Sequence, residues 1–266
     1  MRAVVADGVV VRYGEVEAVR QGSFAVESGE VFGLLGPNGA GKTSVLRVLT
    51  TLLRAADGHA WVLGHEVGGE PALVRRLIGY VPQAVSADGS LTGRENALLF
   101  ARLYNLPRVQ RRARVDEVLD QMGLGDAAGR LARTYSGGML RRLEIACGLL
   151  HRPRVLFLDE PTVGLDPAAR RSVWEHLHEL REASGTTLVV TTHAMEEAEE
   201  HCARVAVMAA GRVLAQGSLA ELRAASGRPG GSLETVFLHL VAGGGEDPRG
   251  GMREVARRRR TARRLG

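Results

Sequence analysis

The sequence predicts an α/β fold, with a parallel β-sheet core, an antiparallel β portion at the N-terminus and an inserted α-helical subdomain. Three observations predict it. Short β-like runs (residues 3–13, 18–26 and 31–35) open the chain, and alternating β and α signals follow. Residues 155–158 form an unbroken apolar run, the pattern of a parallel strand covered on both faces. Between Gln83 and Ser136 the period turns helical, through Leu98, Leu99, Arg102 and Leu103, then Val115, Val118, Leu119 and Met122. Gly123-Leu124-Gly125 closes that helical stretch, and the chain carries no internal repeat.

Composition narrows the class. Of 266 residues, 45% are apolar and 24% charged, the ordinary globular range. No stretch approaches the roughly 18 consecutive apolar residues that span a bilayer. Asp7 lies where a signal peptide needs an apolar run, so no export signal is expected. Cys147 and Cys202 share no metal-ligand spacing and are expected as two buried thiols in a reducing cytosol. Lys and Arg total 35, yet Lys42 is the single lysine and every other cation is arginine. A compact ammonium on a flexible stem differs from a planar guanidinium fork, so the exception marks a site where arginine cannot work.

Lys42 lies in Gly36-Pro37-Asn38-Gly39-Ala40-Gly41-Lys42-Thr43, with Ser44 next, which fits G-x-x-x-x-G-K-[ST]. A strand-length run precedes it, and Val45, Leu46, Val48, Leu49 and Leu52 follow at helical spacing. The glycines let backbone N–H groups curl around a phosphate at a helix N-terminus. Lys42 then reaches the β- and γ-phosphates, and the Thr43 hydroxyl is placed to bind Mg²⁺. Farther on, residues 154–160 read as an apolar strand ending in Asp159 and Glu160. Asp159 is expected to hold the metal, and Glu160 to polarise the attacking water as general base. These elements resemble a P-loop NTPase (RecA-like) core, the fold expected here.

Tyr135-Ser136-Gly137-Gly138-Met139, followed by Leu140, Leu143, Ile145, Ala146, Leu149 and Leu150, is a second helix N-terminus primed for an anion. Here the sequence resembles the ATP-binding-cassette (ABC) ATPases, from about Val4 to Gly217, with every motif in order. The resemblance implies that Ser136, Gly137 and Gly138 of one protomer close on the γ-phosphate held by the other. It also implies that Tyr13 stacks on adenine, and that Gln83 touches Mg²⁺ and the water while reporting to a membrane partner. Gly164-Leu165-Asp166-Pro167 is similar to the loop that crosses the dimer interface. His193, at the end of the strand over residues 187–192, resembles the switch histidine that contacts the γ-phosphate. His176 and His178, two apart on a helix, face different directions and cannot share a metal. No further ligand stands near His201-Cys202 in the sequence.

The domain is expected over residues 1–222, with the helical subdomain at about 84–150. A short helix and a disordered basic tail are expected over 223–266. Leu91-Thr92-Gly93-Arg94-Glu95-Asn96, the segment 101–107 and Ser232-Leu233-Glu234-Thr235-Val236-Phe237-Leu238 resemble the daunorubicin-resistance type of cassette ATPase. That type powers two-component drug, lipid and polysaccharide exporters; the tail after Gly217 looks shorter than the C-terminal domain some members carry. The resemblance implies an ATP- and Mg²⁺-using export motor, working as a homodimer or paired with a second cassette. An ABC-2 type permease would be its partner, at the cytoplasmic face of the cell membrane, with no nucleic acid bound. Arg253, Arg257, Arg258, Arg259, Arg260, Arg263 and Arg264 are expected solvated, with anionic lipid as the sharper option. The alternative is a soluble cassette ATPase acting on nucleic acid or ribosomes, although neither a long coiled-coil insert nor a second cassette is present.

Overall fold

The structure is a computed structural model that describes residues 1–227 and 230–242. In chain order, β1 (Arg2–Tyr13), β2 (Val16–Glu27) and β3 (Val31–Leu35) precede α1 (Lys42–Leu49). Then come β4 (Asp57–Val62), β5 (His65–Glu66), α2 (Pro71–Leu77) and β6 (Ile78–Val81). Helices α3 (Gly93–Leu103), α4 (Arg111–Gln121) and α5 (Gly137–Leu149) follow. The remainder is β7 (Val155–Asp159), α6 (Pro167–Ser184), β8 (Thr187–Thr192), α7 (Met195–His201), β9 (Arg204–Ala209), β10 (Arg212–Gly217), α8 (Leu219–Ala225) and α9 (Leu233–Val241).

Two sheets form. The N-terminal one is antiparallel, in the order β2-β1-β4-β5; the other has six strands in the order β10-β9-β3-β8-β7-β6. Its strands β9, β3, β8, β7 and β6 run parallel, and only β10 pairs antiparallel at the edge. Every residue of β3, β7 and β8 is buried, which explains why these segments read as continuous runs with no alternation. Side chains still divide by the period of two. Phe157 and Val189 face one core with Phe32, Leu34 and the α1 residues Val45 and Leu46. Leu156, Leu158, Leu188 and Val190 face the other, with α4, α5 and α6 residues such as Val118, Leu143, Ile145 and Trp174. Truncating a side chain such as Phe157 to alanine costs about 3–5 kcal/mol in a core of this kind.

The helical insert packs α3 and α4 beside α5. Thr92 and Glu95 form a capping box at the start of α3, and Ser136 caps α5 by accepting from the Met139 N–H. The inward face of α3 carries Asn96, Ala97 and Ala101, whereas Leu99 and Leu103 of the predicted apolar pattern are exposed. Small residues admit the close approach of α5, and the leucines face outward. Leu52 of the predicted α1 stripe lies beyond the helix end and is likewise exposed. Helix α8 runs through residue 222, where the sequence suggested a boundary, and packs with α7, α9 and β9 through Leu222, Leu233 and Val236. The boundary therefore falls inside packed structure. The basic stretch from Arg253 onward lies outside the described residues.

Candidate active site

Four neighbouring parallel strands end along one edge of the large sheet. The register pairs Leu35 with Thr192, Asp159 with Thr191, and Val81 with Leu158. The residues leaving these ends therefore share one place: the Gly36 loop after β3, Gln83 after β6, Glu160 after β7 and His193 after β8. Crevices beyond the carboxyl ends of parallel strands are where such folds bind ligands.

The loop over residues 36–41 needs its glycines. A Cβ on Gly36 would overlap the Met208 carbonyl oxygen, and one on Gly41, whose φ is 102°, would meet the Ala18 carbonyl at 2.6 Å. Lys42, only 5% exposed, folds back over the loop. Its ammonium donates to the carbonyls of Gly36 at 2.7 Å and Pro37 at 3.2 Å, and lies 3.2 Å from Glu160 Oε1. A cavity of about 430 Å³ lies against Ala18, the segment from Asn38 to Ser44, Gln83 and Glu160. Tyr13 is exposed nearby, its hydroxyl 3.4 Å from Ser44 Oγ.

Glu160 gathers the remaining groups. Oε1 also lies 3.3 Å from His193 Nδ1, and Oε2 accepts from Gln83 Nε2 at 3.3 Å. The residue is buried, and its φ of 45° places it in the left-handed region, a strained conformation of the sort that collects at functional sites. Asp159 Oδ1 accepts from Thr43 Oγ1 at 3.1 Å and from Thr191 Oγ1 at 2.6 Å. Thr43, Asp159 and Gln83 thus present hard oxygen donors beside the phosphate loop, a set that fits Mg²⁺.

The comparisons with known proteins agree with this geometry. A family profile described as ABC transporter matches residues 19–163. The daunorubicin resistance ATP-binding protein DrrA3 of Streptomyces coeruleorubidus is 46% identical over 225 residues, covering 85% of this chain and 71% of that protein. A solved ATP-binding subunit of an ABC transporter superposes with a TM-score of 0.79 at 28% identity, over 90% of this chain and 99% of its own. A dimeric post-hydrolysis ATP-binding cassette bound to ADP and Pi gives 0.72 at 27% identity, over 81% and 98%. The chain belongs to the ABC transporter family. It is a nucleotide-binding cassette ATPase, and no helix among its described residues is long and apolar enough to cross a membrane.

Among the described residues, none of Ser136, Gly137 and Gly138 lines the cavity at the phosphate loop. Gly138 has a local reason to be glycine as well, because a Cβ there would stand 2.9 Å from that of Ala169 on α6. Asp166 is the N-cap of α6, accepting from the N–H groups of Ala168 and Ala169 at 3.0 Å, which fixes the loop beside the N-terminus of α5.

Several residues around the cassette's site escaped the sequence reading. Thr191 orients Asp159. Glu197, on α7, accepts from Thr162 Oγ1 at 2.5 Å, Trp174 Nε1 at 2.9 Å and Thr192 Oγ1 at 3.0 Å, tying together the segments on either side of Glu160 and His193. Arg141 and Glu144 form a buried pair on α5. Spacing gave a hint only for Glu197, four residues past His193 at the start of a helix; an arginine among so many gives none. His201 has in space a histidine neighbour that the sequence does not place beside it. Packing of α6 on α7 brings His178 Nε2 within 3.2 Å of His201 Nδ1 and stacks Trp174 on the His201 ring at 4.2 Å. His176 points elsewhere, to the Ser172 carbonyl, and among the described residues no cluster of three or more such ligands forms. Both cysteines are free thiols, and burial pushes each up to about 12.

Proposed function

We propose that this cassette drives a two-component exporter, clamping MgATP between two cassettes at the cytoplasmic face of the cell membrane beside an ABC-2 type permease. The convergence of Lys42, Gln83 and His193 on one buried carboxylate, Glu160, carries the reading. Tyr13 stacks on adenine, and the N–H groups of Asn38, Gly39, Gly41, Lys42, Thr43 and Ser44 supply the phosphate cradle; those of Gly36 and Ala40 donate to the Thr192 and Pro37 carbonyls, and Pro37 has none to give and only fixes the turn. Lys42 exchanges its carbonyl and Glu160 partners for the β- and γ-phosphates. Thr43, Asp159 and Gln83 would hold Mg²⁺, which when bound offsets charge on the phosphate oxygens.

Freed from Lys42, Glu160 Oε1 accepts a proton from the attacking water, and His193 steadies the γ-phosphate from the end of β8. Ser136, Gly137 and Gly138 cap the nucleotide held by a second cassette, with the Asp166 loop alongside. Their absence from the cavity wall of their own chain supports closure in trans, by a second copy or a close relative. Closure is a population shift limited by the differential affinity of ATP for the closed pair. The helical insert over about 84–150, with exposed Leu99 and Leu103, passes the motion to the permease. Likeness to a daunorubicin resistance protein favours a drug-type cargo and export over a role on nucleic acid.

Glu160→Gln is the test. It keeps the side chain's size while removing the base, so turnover falls by about 10²–10⁴-fold with nucleotide binding retained. ATP then accumulates a dimer visible by size-exclusion light scattering. Turnover at the wild-type rate removes Glu160 from the chemistry.

A further inference from the structure

We infer that Arg141 is a positioning residue: its guanidinium holds the peptide bearing Glu160 in the left-handed conformation that aims the carboxylate at Lys42, Gln83 and His193. The inference rests on the reading of Glu160 given above as the base. Arg141 stands on α5, one turn beyond Ser136, and is 6% exposed. Nε donates to the Pro161 carbonyl at 2.7 Å, and Nη2 donates to those of Glu160 at 3.0 Å and Asp159 at 3.2 Å.

Three successive carbonyls therefore meet one side chain. Along a regular strand the pleat turns neighbouring residues to opposite sides, so such a set cannot converge. The φ of 45° at Glu160 is what turns them together. A non-glycine residue enters that region against a clash between Cβ and carbonyl oxygen, and stays there only when its surroundings fix it. A planar fork with five donors matches the acceptor set, and a lysine ammonium does not.

The same pair reaches the Gln83 loop from both ends. Arg141 Nη1 donates to the Pro82 carbonyl at 2.6 Å and to Glu144 Oε2 at 3.1 Å. Glu144 Oε1 in turn accepts from the Ser86 N–H at 2.5 Å and the Ser86 hydroxyl at 3.0 Å. One buried pair on α5 thus anchors the two segments that supply the base and its glutamine neighbour. An arginine that only filled space or balanced Glu144 would not direct three of its bonds to the backbone of the catalytic segment.

The experiment compares Arg141→Gln and Arg141→Lys in the full-length protein, measuring kcat and KM for ATP and the ATP-driven dimer in a Glu160→Gln background. Arg141→Gln is expected to lower kcat about 100-fold, the cost of misplacing a reacting group by about 1 Å, with KM nearly unchanged. Arg141→Lys recovers part of the rate, and Arg141→Gln/Glu160→Gln dimerises at the same ATP concentration as Glu160→Gln alone. Wild-type kcat in Arg141→Gln overturns the inference, as does a rise in KM that accounts for the loss or disappearance of the dimer in the double variant. Should Arg141→Gln not fold, Arg141→Lys decides, an unchanged kcat refuting. Wild-type turnover in Glu160→Gln would instead strike at the base assignment itself, so the two failures are distinct.

Discussion

Thr191, one residue before the end of β8, has no exposed surface, and its hydroxyl makes two contacts that a valine of the same shape would lose. It donates to Asp159 Oδ1 at 2.6 Å and accepts the Glu160 N–H at 2.9 Å. The second loss is softened, because that N–H also reaches the Thr191 carbonyl at 3.2 Å. The first leaves Asp159 Oδ1 with Thr43 alone among these donors. A hydrogen bond to a charged group contributes about 1.5–3 kcal/mol, and β-branched shape keeps the strand unstrained. Thr191→Val should therefore lower Tm by about 3–12 °C, at about 2–4 °C per kcal/mol for a domain of this size. Loss of an orienting partner typically weakens metal affinity by about 10–100-fold, so half-maximal turnover should need that much more Mg²⁺. Thr191→Ser keeps the hydroxyl, loses one methyl, and should hold the wild-type Mg²⁺ requirement. Calorimetry and a Mg²⁺ titration of ATP turnover read both quantities. Equal Mg²⁺ requirements for Thr191→Val and Thr191→Ser would refute the claim that this hydroxyl orients Asp159.

Lys42→Arg keeps the charge but brings a wider head to a pocket where the ammonium already lies 2.7 Å from Gly36 O. Nucleotide affinity should fall at least about tenfold, the equivalent of about 1.4 kcal/mol, by titration of a fluorescent ATP analogue; wild-type affinity would remove the reason for the lone lysine. His151 lies with Nε2 2.7 Å from the Ile78 carbonyl, its ring stacked on Tyr104 at 4.0 Å and Nδ1 buried without a partner. Burial holds its pKa below the ordinary 6.5. The unfolded chain therefore takes up the proton first, and stability that is complete above about pH 6.5 drains as pH falls below it. His151→Gln should flatten the dependence of the urea midpoint between about pH 7 and 5, whereas an unchanged slope would show that this ring does not titrate differently on folding.

Much of the site was legible because its chemistry is local. The loop from Gly36 to Thr43 announces itself since a phosphate cradle needs consecutive N–H groups, and a lone lysine among arginines stands out in composition. The unbroken apolar run 155–158 was legible as a buried parallel strand, and the acids that follow it as a ligand edge. Apolar periodicity served less well on α3, where Leu99 and Leu103 continue a helical pattern but face out, because close packing there selects alanine.

Sequence by itself therefore determined the fold class and the order of the nucleotide motifs; it marked Lys42 and Glu160 as candidate site residues from their neighbours, and Gln83 and His193 through the family resemblance. Only the tertiary structure decided what holds them. Thr191 is 32 residues from Asp159, Glu197 is 35 from Thr162, and Arg141 is 19 from Glu160. Strand order, not spacing, sets those partners. A buried hydrogen bond depends on where two backbones come to lie, and that is fixed only when the sheet has closed and the helices have packed on it.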